Sequence, residues 1–200
     1  MTFYDFFMEP FERLGLGMLR KNLVKQARGS VLEIGAGTGL NLPYYRWDQI
    51  SSLVMIDKEL NRKALDKKIK DIPAGELSLR EVNVMELPFE DESFDTVLFT
   101  LVFCSVGDVD KGLREVKRVL KKDGKMLFIE HVRPEKEPLG KTFDLLTPFW
   151  KRIASGCHLN RETHKHFERL GFEIRLEKKI FSRIFIGGTG RIKDTYQTTE

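Results

Sequence analysis

The sequence predicts an α/β protein with a mostly parallel, seven-stranded sheet covered by helices on both faces. Three observations lead there. Short apolar runs alternate with amphipathic stretches of helical period, the order that builds a parallel sheet. The first apolar run ends in a glycine-dense turn, "VLEIGAGTG" at 31–39. The last two strand-like runs follow one another with no helix between them, so they close the chain as an antiparallel hairpin.

In chain order the candidate strands are Ser30–Gly35, Ser52–Asp57, Glu76–Val82, Phe94–Thr100 and Lys125–Glu130, with helical patterns at 40–47, 59–70 and 108–122 between them. In the last of these, Val109, Leu113, Val116 and Leu120 share one face and Asp123-Gly124 supplies the stop. After Pro138 come an aromatic stretch, "FDLLTPFW" (143–150), the polar segment "SGCHLNRET" (155–163), a short helix to Leu170, and Gly171. The hairpin runs are Phe172–Glu177 and Ile184–Gly188.

The glycine turn carries the strongest chemical signal. Gly35, Gly37 and Gly39 permit a tight turn and let backbone approach a ligand closely, so the loop is predicted to cradle a nucleotide-like cofactor. Asp57 ends the next strand 22 residues after Gly35, where an acid can bind ribose hydroxyls. The order is G-x-G-x-G, and Leu40 stands where a dinucleotide fingerprint needs its third glycine, which weakens an NAD reading. No phosphate-loop lysine follows the glycines.

Composition limits the function classes. The 34 basic and 30 acidic residues leave a net charge of only +4, a mixed surface that does not imply nucleic acid. The longest apolar run, "VLFTLVFCSV" (97–106), is far short of the roughly 20 residues of a membrane span. The start lacks the basic-then-apolar order of a secretory signal, and Cys104 and Cys157 make no disulfide framework, so a cytoplasmic setting is expected.

The pattern E-x-G-x-G-x-G, then Asp57, then "NVMELPFEDESFD" (83–95), resembles the class I S-adenosylmethionine-dependent methyltransferases over residues 30–132. The resemblance implies a Rossmann-like methyltransferase fold with S-adenosyl-L-methionine as cofactor and S-adenosyl-L-homocysteine as product. It places Glu33, Gly35, Ala36 and Gly37 beside the methionine part, Asp57 on the ribose, Lys58 next to the adenine, and Asn83, Val84 and Met85 along the adenine edge. Thr100, ending the fourth strand, joins this cofactor set. Asn83 stands where aspartate is usual; an amide can still accept from an adenine amino group. "TLVFCSV", "REVKRVLKKDGKMLFIEHV" and "GCHLNRET" look like the group containing alkyl-thiol S-methyltransferases and, more loosely, bacterial phospholipid N-methyltransferases; quinone methyltransferases match more widely.

On the acceptor side, methyl transfer from a sulfonium requires positioning, not a metal. A near-attack geometry supplies about 7–11 kcal/mol. A thiolate meeting a sulfonium yields neutral products, so a dry pocket helps, and a thiol is a few per cent ionised at neutral pH whereas an ammonium must first lose its proton. His131, His158 and Arg161 are the candidate acceptor-side residues: His131 lies just past the fifth strand, and an arginine near a helix start suits an anionic substrate group. A zinc site is disfavoured, since His164 and His166 differ by about 200° around a helix. Asn160 is the predicted N-cap of that helix. Cys104 reads as a small buried hydrophobe. Phe3, Phe6, Phe7, Phe11 and Leu14 recur at helical spacing around Pro10, as core, as a lid, or as a transient membrane-surface contact.

The expected organisation is a single domain: an N-terminal helical cap (1–28), a cofactor-binding core (29–132), an acceptor-side segment (133–170) and the final strand pair (171–192). The expected acceptor is a small molecule or lipid, a thiol being one candidate; a phospholipid amine, a quinone-type ring, or a non-catalytic cofactor-binding module are the alternatives.

Overall fold

A computed structural model describes residues 3–70, 72, 77–154, 156–181 and 183–193, with side chains from residue 7 onward. The strands are β1 (Gly29–Ile34), β2 (Ile50–Asp57), β3 (Leu77–Glu81), β4 (Phe94–Thr100), β5 (Leu120–His131), β6 (Phe172–Ile180) and β7 (Phe185–Ile192). They form one sheet in the order β3-β2-β1-β4-β5-β7-β6. Pairings among β1 to β5 are parallel, and β7 lies antiparallel between β5 and β6. The predicted hairpin is therefore present, with its second strand inserted inside the first. Glu76, the predicted start of the third strand, lies outside the described residues.

The helices are α1 (Phe3–Phe11), α2 (Gly17–Val24), α3 (Arg62–Ile69), α4 (Val109–Val119), α5 (Glu137–Ile153) and α6 (Thr163–Arg169). A widened turn, Glu12–Leu16, joins α1 to α2 and kinks at Gly15, whose φ is 137°. Central strands are apolar on both faces because both are covered. Leu32, Val97, Phe99 and Phe128 pack toward α4 and α6. Val31, Leu98 and Leu127 face the opposite layer, and Ile129 meets Leu19 and Leu23 of α2. The rings of Phe99, Phe103, Phe128 and Phe167 approach to centroid distances of 4.7–6.2 Å. Burying each contributes about 1.5–3 kcal/mol.

Local chemistry sets several boundaries. Asp108 caps α4 by accepting from Lys111 N at 2.9 Å, and Asn61 caps α3 by accepting from Ala64 N at 3.2 Å. The helix predicted at 40–47 is instead two single turns, Leu42–Tyr44 and Trp47–Gln49. Between them Tyr45 is extended and sends its hydroxyl inward to Glu33, which a continuous helix forbids. Helix α4 ends at Val119, earlier than predicted, because Leu120 pairs with Phe94 and is fully buried. The aromatic stretch at 143–150 is the middle of α5, which continues through Pro148.

Candidate cofactor and acceptor site

The site forms at the C-terminal ends of β1, β2, β3 and β4, where an open parallel sheet leaves a crevice. A cavity of about 1130 Å³ lies there. All ten predicted cofactor residues line it: Glu33, Gly35, Ala36, Gly37, Asp57, Lys58, Asn83, Val84, Met85 and Thr100.

The glycine turn is pinned from β2. The N–H groups of Gly35 and Ala36 both donate to Ile56 O, at 2.8 and 2.9 Å, and Gly39 N closes the turn onto Ala36 O at 2.8 Å. Gly35 has φ 78°, and a Cβ there would overlap the Val102 side chain, so the turn presses against the loop leaving β4. Gly37 has φ 50°, and a Cβ there would meet nothing nearer than Gly35 O at 3.9 Å, because the cavity lies in front of it. Asp57 Oδ2 accepts from Gly37 N at 2.9 Å, joining the predicted ribose acid to the loop. Asn83 Oδ1 accepts from Met85 N at 3.0 Å, so the loop after β3 orients this amide.

Behind the turn is a buried polar network that the sequence reading missed except for Glu33 and Thr100. Glu33 is 1% exposed; it accepts from Asn41 Nδ2 at 2.8 Å and Tyr45 Oη at 2.7 Å. Burial raises its carboxyl from 4.5 to about 7 against the opposing effect of those bonds and of Arg20. Thr100 Oγ1 accepts from Arg20 Nη1 at 2.8 Å and Asn41 Nδ2 at 3.2 Å. Arg20 and Asn41 sit outside any recognisable motif. Glu130 could have been suspected as a carboxylate closing an apolar strand. It is fully buried, and its two oxygens accept from the N–H groups of Val102, Phe103 and Cys104 at 2.9–3.2 Å. Burial raises it to about 8. That carboxylate shapes the loop after β4, where Leu101 adopts φ 60°, strained for a side-chain-bearing residue.

His131, His158 and Arg161, predicted to face the acceptor, do not line the cavity. His131 stacks on Phe143 at 5.8 Å and meets the Phe185 ring edge-on, which buries it and lowers it to about 4. Arg161 Nη1 donates to Phe103 O and Val106 O, both at 2.6 Å, clamping the β4 loop from behind. His158 donates its backbone N–H to Cys104 O at 2.8 Å. Asn160 does not cap α6: the helix starts at Thr163 with Glu162 at the cap position, and the Asn160 side chain is drawn to Asp144 instead. His166 meets Asp110 at 2.7 Å. Cys104 is buried as expected, beside Cys157, Ala154 and Trp150.

The cavity continues past β1 to the β4 side, where Met8, Leu101, Val102, Ser105, Ile153 and Ala154 line it. A pinned glycine turn, an acid at the end of β2 and an adjoining apolar chamber fit a nucleoside-bearing methyl donor next to an acceptor. Residues 32–128 match the family described as "Methyltransferase domain". The chain is 37% identical over 157 residues, 74% of its length, to the thiol S-methyltransferase TMT1B of Rattus norvegicus, covering 62% of that protein.

The chain carries a segment similar to that methyltransferase-domain family on a Rossmann-like α/β sheet.

The chain is also 31% identical over 121 residues to the phosphatidylethanolamine N-methyltransferase of Cereibacter sphaeroides, covering 60% of each chain. It spans less than two thirds of the length of these curated relatives. Among solved structures, the YcgJ protein from Bacillus subtilis superposes with a TM-score of 0.69 at 18% identity, over 91% of this chain and 99% of that one. A SAM-dependent methyltransferase from Thermotoga maritima gives 0.63 at 21%, over 95% and 98%. At these identities the likeness establishes the fold.

Proposed function

We propose that the chain is an S-adenosylmethionine-dependent methyltransferase that methylates the thiol of a small lipophilic acceptor. The observation that carries the reading is the wall of the cavity on the β4 side. Its side chains are apolar apart from Thr100, Ser105 and the Glu12–Arg20 pair. Glu12 is engaged by Arg20, and Glu33, further along the wall, by Tyr45 and Asn41. Both carboxylates are thus turned to protein partners rather than left unpartnered toward an acceptor. A thiol of pKa near 8.5 supplies its own thiolate at neutral pH, whereas an ammonium needs a base. The likeness to TMT1B supports the same acceptor class.

The residues divide the task. Gly35, Ala36 and Gly37 offer a close-approach turn, Asp57 an acceptor for a diol, and Asn83 to Met85 a partly polar edge for a base. S-adenosylmethionine held there supplies an electrophilic methyl on a sulfonium. Glu130 and Arg161 fix the loop that walls the acceptor chamber, and Met8, Leu101, Val102 and Ile153 keep that chamber dry. Exclusion of water favours a reaction that cancels charge. The free Cys104 and Cys157 suit a reducing compartment, and we assign the chain to the cytoplasm.

Production of S-adenosylhomocysteine tests the reading, with alkyl thiols in one arm and phosphatidylethanolamine vesicles in the other. Turnover confined to the thiol arm is expected. Turnover confined to the vesicles would move the assignment to a lipid amine, as the relative from Cereibacter sphaeroides suggests; cofactor binding without turnover in either arm would remove the thiol reading.

A further inference from the structure

Helix α5 turns a hydrophobic side to solvent. Leu145, Phe149 and Ile153 follow at intervals of four with Leu146 beside them, and they are 80%, 65%, 45% and 47% exposed in that order. A contiguous exposed apolar face of this kind marks an interaction. The hydroxyls of α5 are turned back onto the helix, Thr142 Oγ1 to Pro138 O at 2.9 Å and Thr147 Oγ1 to Phe143 O at 2.7 Å. A protein partner would ask for about one hydrogen bond per 100–200 Å² of interface; hydrocarbon asks for none.

Charge narrows the partner further. The two acids of α5, Glu137 and Asp144, are both held by Arg133, at 3.4 and 2.9 Å. Lys136, Lys141, Lys151 and Arg152 are exposed and belong to no ion pair among the described residues. The helix therefore presents apolar side chains bordered by unneutralised cations, the arrangement that lies in the interface of an anionic bilayer. No helix among the described residues is long and apolar enough to cross a membrane. The face reaches the cavity: Ile153 lines it, and the Phe7 ring, 4.7 Å from that of Trp150, links α5 to Met8 on the same rim.

We propose that the outer face of α5 docks this methyltransferase on the surface of an anionic lipid bilayer, with the cavity rim at Ile153 against it. A lipophilic acceptor then reaches the chamber from the bilayer without crossing water. That consequence rests on the acceptor reading above; the docking itself does not.

Sedimentation of the full chain with vesicles tests it, using phosphatidylcholine with phosphatidylglycerol against phosphatidylcholine alone. Binding to the anionic vesicles is expected, weakening as salt screens the cations. The double substitution Leu145→Ser with Phe149→Ser is expected to weaken it about tenfold or more. Lys141→Gln with Arg152→Gln should remove the preference for anionic lipid. Neither pair lines the cavity, so affinity for S-adenosylhomocysteine, read by calorimetry, should hold and report an intact fold. Vesicle binding unchanged by the serine pair, or absent from wild type, overturns the proposal. So does a solution dimer that the serine pair dissolves, which would give the face to a second copy. Docking that persists while no thiol turns over supports the proposal and removes only the acceptor assignment.

Discussion

Arg20 grips Glu12 across the Gly15 kink, Nη2 to Oε1 at 2.5 Å and Nε to Oε2 at 3.2 Å, while its Nη1 donates to Asn41 Oδ1 and Thr100 Oγ1. One guanidinium, 3% exposed, thus fastens the N-terminal segment to the wall behind the glycine turn.

Replacing Arg20 with alanine strands Asn41 and Thr100 together with the Glu12 carboxylate. A loss of about 2–4 kcal/mol is expected in urea denaturation. Glu12→Gln keeps an acceptor for Arg20 and should cost about 1 kcal/mol or less while weakening S-adenosylhomocysteine binding. Equal losses from both variants would show that Glu12, not Arg20, is the centre of the network.

Two neighbouring glycines should respond differently. Gly35→Ala drives a methyl into Val102 and should unfold the turn, costing at least about 3 kcal/mol. Gly37→Ala has room, so the penalty is the backbone strain of about 1–2 kcal/mol, with the methyl projecting into the cavity. Thermal melts and calorimetry on the pair separate strain from lost binding.

Asp57→Ala removes the partner of Gly37 N and the acceptor placed for a ribose diol. Affinity for S-adenosylhomocysteine should fall about 10- to 100-fold, with stability changed by about 1 kcal/mol or less. Calorimetric affinity equal to wild type would exclude Asp57 from the cofactor site.

Stability should depend on pH through the buried acids. Glu33 rises from 4.5 to about 7 on folding and Glu130 to about 8, so the folded state holds these protons more tightly than the unfolded chain. Their contribution is complete below about pH 4.5 and is lost as pH rises through 7 and 8. His131, lowered to about 4, acts oppositely, destabilising the fold as pH falls from 6.5. The difference between wild type and Glu33→Gln cancels the His131 effect. Denaturation midpoints should show that difference changing by on the order of 3 kcal/mol between about pH 4.5 and 8.

Arg161→Ala releases the carbonyls of Phe103 and Val106. It should lower both the melting temperature and kcat, with a stability loss of about 2–3 kcal/mol. His158→Ala keeps its backbone bond to Cys104 and should leave both near wild type. A large fall in kcat for His158→Ala at unchanged stability would restore it to the acceptor site.

How much was legible in the sequence follows the range of each interaction. The strand ending in Gly35, the acid at Asp57 and the stripe on α4 are written in local spacing, because φ, register and amphipathic period depend on a few neighbours. Asn160 misled because its type suits a cap, yet a partner on α5, Asp144, competes for it. Helix α5 escaped notice because Pro148 reads as a break, although the helix continues through it.

Backbone conformation and short-range pattern carry the parallel core, the glycine turn and the acid at Asp57, so these were readable from the residues alone. Packing of the layers was needed to join Arg20, Asn41 and Glu33 in one network, to hold the loop after β4 between Glu130 and Arg161, and to set His131 between aromatic rings. Those partners are 8 to 80 residues apart, and their chemistry depends on burial and direction, which exist only once the layers have packed.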